Sequence, residues 1–148
     1  MVRSIGPAWG RERRRQCAAL PIRERDGVLH VLLITTRGRG RWVIPKGWAE
    51  AGVAPHALAA REAFEEAGLL GRTAEQPIGA YSYRKRLPDG RRAVCQVEVF
   101  TLEVEARATD WPERGQRRKR WLPPLEAAAL VSEPGLAELL LGLCREAA

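Results

Sequence analysis

The run Arg61-Glu62-Ala63-Phe64-Glu65-Glu66-Ala67-Gly68-Leu69 holds three carboxylates at a spacing that suits cation binding. At about 100° per residue, a helix projects Glu62, Glu65 and Glu66 from one side, with Ala57, Ala60, Phe64 and Ala67 expected on the opposite, core-facing side. Carboxylates three and four residues apart repel by a few tenths of a kcal/mol per pair, and a bound cation relieves that repulsion. Hard oxygen donors of this kind suit Mg²⁺ or Mn²⁺. Taken alone, the spacing also fits a solvated acidic face in which Arg61 pairs with Glu65 one turn on. Other chemistries find less support: His30 and His56 match no triad or metal spacing, and the chain has no GxxxxGK[ST] phosphate loop. Cys17, Cys95 and Cys144 are odd in number and widely separated, which argues against a disulfide framework or a zinc site.

The elements that must carry these acids are legible from local signals. Residues 16–23 and 28–35 are β-rich and flank Asp26-Gly27, a strong hairpin signature. A basic loop over 37–41 precedes a short apolar run, Trp42, Val43 and Ile44, which Pro45 ends. A loop over 45–54 then leads to a helix begun by Pro55 and closed by Gly68 in the left-handed position. Residues 80–87 and 92–105 read as strands around the Pro88-Asp89-Gly90 turn. After a polar loop over 107–118 come a short strand over 119–122, a helix over 123–131 and an amphipathic helix over 134–146. An α/β fold, a mixed sheet with helices on both faces, buries this order of elements. Residues 1–12 read as a basic extension and residues 13–148 as one domain.

Ahead of the carboxylate helix stands Pro45-Lys46-Gly47-Trp48-Ala49-Glu50, with Gly47 fourteen residues before Arg61. Glycine, loop, R-E-x-x-E-E-x-G and a closing aliphatic residue, here Leu69, together resemble the box of the Nudix hydrolases. The resemblance implies an α/β/α sandwich in which Glu62, Glu65 and Glu66 hold Mg²⁺, or Mn²⁺, and the Gly47 carbonyl is a further ligand. It also implies metal-assisted hydrolysis of a phosphoanhydride, with the three glutamates as catalytic residues. The general base stays open among Glu62, Glu66, and the later acids Glu98, Asp110 and Glu113. One position departs from the pattern: Val53 stands where the family has a glutamate that anchors the loop, partly through the box arginine. Arg61 would then lack its customary partner, with Glu50 near enough to replace it, and Val53→Glu would be expected to add an ion pair.

Further pieces narrow the resemblance. Arg14-Arg15-Gln16-Cys17-Ala18-Ala19, Arg41-Trp42-Val43-Ile44-Pro45-Lys46-Gly47, Asp110-Trp111-Pro112-Glu113 and Arg118-Lys119-Arg120-Trp121 look like diphosphoinositol polyphosphate phosphohydrolases. That likeness implies diphosphoinositol or diadenosine polyphosphates as substrates, with Arg15, Arg41, Lys46, Arg91, Arg118 and Lys119 as candidate phosphate contacts. Trp42, Trp48, Trp111 and Trp121 are available to stack on an adenine, or to anchor core and loops. The alternatives are another Nudix substrate, an RNA 5′ end or a nucleoside diphosphate derivative, and a weakly catalytic module that binds phosphate or nucleic acid, which Val53 motivates.

Composition agrees with an anionic small-molecule partner. The 148 residues carry a formal charge of +7, and only three of the 25 basic residues are lysines. No aromatic run suggests RNA binding, so nucleic acid is not the expected partner. The longest apolar stretches fall far short of the roughly 20 residues a membrane span needs, and the first fifteen residues lack a signal-peptide core. The expectation is a cytoplasmic monomer or homodimer acting on a small polyphosphorylated substrate.

Overall fold

The computed structural model describes residues 13–147, and the basic segment over 1–12 lies outside them. β1 (Arg13–Arg25) turns into β2 (Val28–Thr35) through Asp26 and Gly27, at φ 54° and 77°, as a two-residue hairpin turn demands. β3 (Trp42–Val43) and β4 (Lys46–Trp48) lead to α1 (Pro55–Ala67), which is followed by β5 (Leu69–Thr73), β6 (Gly79–Arg86) and β7 (Arg92–Arg107). β8 (Lys119–Leu122), α2 (Pro124–Leu130) and α3 (Pro134–Ala147) complete the order.

The sheet runs β3-β2-β1-β7-β5, with β4 paired to β1, β6 to β7 and β8 to β2. β1 and β7 pair in parallel from Arg13↔Val94 to Ile22↔Glu103, while every other pairing is antiparallel, so the sheet is mixed. The middle of β1 is buried on both faces, as a central strand covered by helices must be. Cys17 and Ala19 belong to the core under α1, with Leu58, Ala59, Ala63, Phe100 and Leu102. Ala18 and Leu20 belong to the core on the other face, with Val97 and Val99 of β7 and Ala127, Leu136 and Leu140 of the α2–α3 layer. An α/β/α sandwich results.

Three strands go beyond the sequence reading, β3 among them, which forms from the apolar run over 42–44. β4 falls inside the stretch read as a loop, because three residues around a glycine carry no alternation. β5 follows the helix directly, and its register shifts between Leu70 and Gly71. A Cβ on Gly71 would collide with the Glu103 carbonyl, so glycine permits that close strand approach.

A second difference concerns α1. Its buried residues are Leu58, Ala59, Ala63, Glu66 and Ala67, whereas Ala57 is exposed and Ala60 and Phe64 are only half-buried. The expected separation of acids from core is therefore corrected: Glu66 lies within the sheet-facing stripe. Leu58 sets that stripe, and the small side chains of Ala59 and Ala63 let the helix come close to the sheet.

Candidate active site

The site is assembled by register. Glu98 of β7 pairs with Cys17 of β1, which pairs with Gly47 of β4, so these three residues lie in a row across the sheet. Cross-strand partners share a face, and Cys17 faces α1, which places Glu98 and Gly47 on the helix side. Gly47 meets the helix there. A Cβ added to it would sit 2.6 and 2.8 Å from the two carboxylate oxygens of Glu62, so only glycine leaves room for that side chain.

Glu62 hydrogen-bonds Glu66. Burial pushes the Glu66 carboxyl up to about 8; the Arg117 guanidinium opposes the shift and the neighbouring Glu62 adds to it. Glu62 is also raised, first by burial, with the charge of Glu65 contributing. Two carboxyl groups pressed together out of water share a proton instead of both ionising.

The helix glutamates do not all converge. Glu62 and Glu66 pair, Glu65 bears on Glu62 only through its charge, and among the described residues no group of three or more His, Cys, Asp or Glu side chains forms a metal cage. What the pair offers is nevertheless the donor set of a hard divalent cation: one buried and one half-buried carboxylate against a glycine backbone. The residues fit such an ion.

The later acids divide. The backbone N–H of Glu113 donates to the Glu65 carbonyl at 3.0 Å, and its carboxylate is close enough to raise both Glu62 and Glu66. Glu98 bonds Arg15 at 3.2 Å on the helix side of the sheet. Asp110 is exposed, 3.8 Å from Arg114, and bonds the Trp111 N–H.

A small cleft of about 170 Å³ opens above Glu66, lined also by Arg37, Lys46, Tyr83, Lys85 and Arg117. Lys46, Tyr83 and Lys85 are shared with a larger cavity of about 910 Å³ whose further cations are Arg13, Arg39, Arg41, Arg84 and Arg86. Of the predicted phosphate contacts, Arg41 and Lys46 line this cavity. Lys46 lies over the Tyr83 ring and 3.5 Å from Glu133, which also accepts a hydrogen bond from the Tyr81 hydroxyl.

The other predicted contacts lie elsewhere. Arg91 bonds Asp89 at the β6–β7 turn, and Arg118 lies over the Trp42 ring. The Lys119 ammonium donates to the Ala67 carbonyl at 3.2 Å, where it caps the C-terminus of α1 beside Trp111. Sequence reasoning missed Arg117, whose only local sign is its position four residues after Glu113, and the cavity cations Arg13, Arg39, Arg84, Lys85 and Arg86. Each tryptophan weighed for stacking carries a cation on its ring: Arg118 on Trp42, Arg14 on Trp48, Lys119 on Trp111 and Arg23 on Trp121. None of the four lines the cavity.

A profile of the NUDIX domain matches residues 12–141. Nudix hydrolase 12, mitochondrial, of Arabidopsis thaliana is 37% identical over 105 residues, covering 69% of this chain and 52% of the relative. Nudix hydrolase 16, mitochondrial, of the same plant is 30% identical over 129 residues, covering 82% and 69%. The C. elegans Ap4A hydrolase in a binary complex superposes with a TM-score of 0.67 at 17% identity, over 89% of this chain and 96% of that one. A NUDIX hydrolase from Nitrosomonas europaea gives a TM-score of 0.67 at 20% identity, over 91% and 90%. At these identities the structural likeness is one of fold. The chain belongs to the Nudix family, and it spans about half the length of curated relatives such as Nudix hydrolases 12 and 13.

Proposed function

We propose that this chain hydrolyses a phosphoanhydride bond in a small polyphosphorylated substrate, with Glu62, Glu65, Glu66 and the Gly47 carbonyl holding Mg²⁺, for which Mn²⁺ can substitute. The observation that carries this reading is that the buried Glu66, paired with Glu62, lines a cleft that shares Lys46, Tyr83 and Lys85 with a cation-lined cavity. A bound divalent ion neutralises phosphate charge and acidifies water. Lys46, Lys85 and Arg41 hold the non-reacting phosphates, since forked and point-charge donors both suit phosphate oxygens. The proton of the attacking water passes to a carboxylate of the site: Glu66 lines the cleft, Glu62 pairs with it, and Glu98 and Glu113 are the later candidates.

Cavity chemistry favours a diphosphoinositol polyphosphate over a diadenosine polyphosphate. A phosphate-crowded ring calls for many cations, which line the walls, whereas an adenine calls for an open aromatic face. None of the four tryptophans lines the cavity, and Tyr83, which does, has Lys46 over its ring.

The test is to rank specificity constants, with Mg²⁺ and with Mn²⁺, across a diphosphoinositol polyphosphate, a diadenosine polyphosphate, a nucleoside diphosphate derivative and a triphosphorylated RNA 5′ end. The first is expected to lead. Glu65→Gln and Glu66→Gln are expected to lose more than about a hundredfold in metal-dependent phosphate release while remaining folded, since even groups one shell outside a metal cost 10- to 100-fold. Unchanged turnover in both variants rejects the metal site. Binding without turnover on every substrate makes the chain a phosphate-binding module.

A further inference from the structure

Arg117 is an arginine that neither the Nudix box nor the substrate-contact reading uses. Its side chain is 11% exposed and lies between two acids, Glu66 of α1 and Glu113 of the 108–118 loop. Nε and Nη2 both reach Glu113 Oε1, at 3.0 and 2.8 Å, and Nη1 donates to the Thr35 carbonyl at 3.0 Å. Nη2 stands 3.8 Å from Glu66 Oε1, whose side chain is 10% exposed.

These distances separate two kinds of contact. The bonds to Glu113 and Thr35 have hydrogen-bond length and fix the guanidinium between the 108–118 loop and the end of β2. The approach to Glu66 is longer than a hydrogen bond and acts through charge alone. Glu66 can therefore turn away without moving the arginine. A buried guanidinium cannot be deprotonated and needs an anion beside it, and Glu113 supplies one whatever Glu66 does.

We propose that Arg117 is the resident counter-ion of the acidic cleft. In the ion-free protein it offsets the charge of Glu113 and the single charge left on the proton-sharing Glu62–Glu66 pair; when a divalent cation binds, it gives up Glu66 and remains on Glu113. This rests on reading Glu62, Glu65 and Glu66 as the metal-binding acids. A fixed positive charge beside those acids stabilises the empty cleft and opposes an incoming cation, so Arg117 trades metal affinity for stability in the ion-free state.

The opposing signs of two substitutions provide the test. Removing the charge with Arg117→Gln leaves the acids uncompensated until an ion arrives. Removing Glu113 with Glu113→Gln leaves the guanidinium with Glu66 as its only carboxylate and holds it there. Mg²⁺ affinity is measured by titration calorimetry and Mn²⁺ affinity by electron paramagnetic resonance, with Tm recorded in chelator and in saturating Mg²⁺. Arg117→Gln is expected to bind the ion on the order of tenfold more tightly, as loss of a nearby like charge implies. Its Tm is expected to fall in chelator and recover with Mg²⁺. Glu113→Gln is expected to bind severalfold more weakly, and Arg117→Lys, which keeps the charge and serves if Arg117→Gln fails to fold, is expected to retain wild-type affinity. An equal Tm loss with and without Mg²⁺ together with unchanged affinity makes Arg117 a strut and overturns the proposal, as does tighter binding in Glu113→Gln. If the wild-type protein binds no divalent ion, the metal site itself falls and the proposal with it. Binding by the wild type that Arg117→Gln leaves unaltered removes the proposal alone.

Discussion

The Arg61 guanidinium bonds the Glu50 carboxylate across the turn between β4 and α1. Its partner is neither Glu65, the i+4 candidate on the same helix, nor the Val53 position, where the family carries a glutamate. Val53 packs instead against the core under α1. The turn is thus held at two points, an ion pair outside and an apolar contact inside, and Glu62, next to Arg61 in the chain, is kept against Gly47.

The expectation that Val53→Glu would add an ion pair changes accordingly. Arg61 is already engaged, and a carboxylate at 53 would replace an apolar contact, so that variant is expected to lose on the order of 1 kcal/mol. The Glu50–Arg61 pair is 51% and 39% exposed, so Glu50→Gln should cost under about 1 kcal/mol in stability while weakening metal affinity by loosening the turn. Val53→Glu placed in the Glu50→Gln background should recover part of that affinity. Thermal melts and metal titrations of the two single variants and the double variant decide the matter; purely additive effects would show that the turn does not act through Arg61.

Gly47→Ala separates folding from site geometry. The added methyl meets the Glu62 carboxylate, the far end of a flexible side chain, so the fold can accommodate it by moving Glu62. Only a modest Tm change is expected, while metal affinity and turnover fall at least about tenfold because a metal-binding group has been displaced. Turnover equal to wild type would mean that Glu62 need not lie against this backbone.

Acidity of the site predicts a particular pH dependence. Glu66 holds its proton up to about 8 in the folded chain, against an ordinary value of 4.5, because burial disfavours the charge. Between those values the folded state binds a proton that the unfolded state has released, so this group's contribution to stability is full below about 4.5 and is lost as pH rises towards 8. Ion-free protein should therefore melt lower at pH 8 than at pH 5, Glu66→Gln should flatten that slope, and saturating Mg²⁺ should restore the Tm at pH 8. Calorimetric melts at stepped pH check this, and a steeper fall in Glu66→Gln than in wild type would assign the slope to other groups.

Much of this protein was legible along the chain because backbone conformation leaves local marks. Asp26-Gly27 announces the hairpin, Pro55 and Gly68 bracket α1, and the Gly47-to-Glu66 spacing identifies the family before any coordinate is known. Tertiary structure alone decided which side of α1 is buried, and with it that Glu66 sits in the sheet-facing stripe, since that depends on which residues let helix and sheet approach. It also redistributed the cations: Lys119 went to the Ala67 carbonyl, Arg118 to Trp42, Lys46 and Arg41 to the cavity, and Arg117 to Glu113 and Glu66. Partners such as Arg15 and Glu98, or Arg117 and Thr35, lie more than eighty positions apart. Residue type declares that an arginine will seek an anion, but strand register and the path of the loops determine which one it reaches.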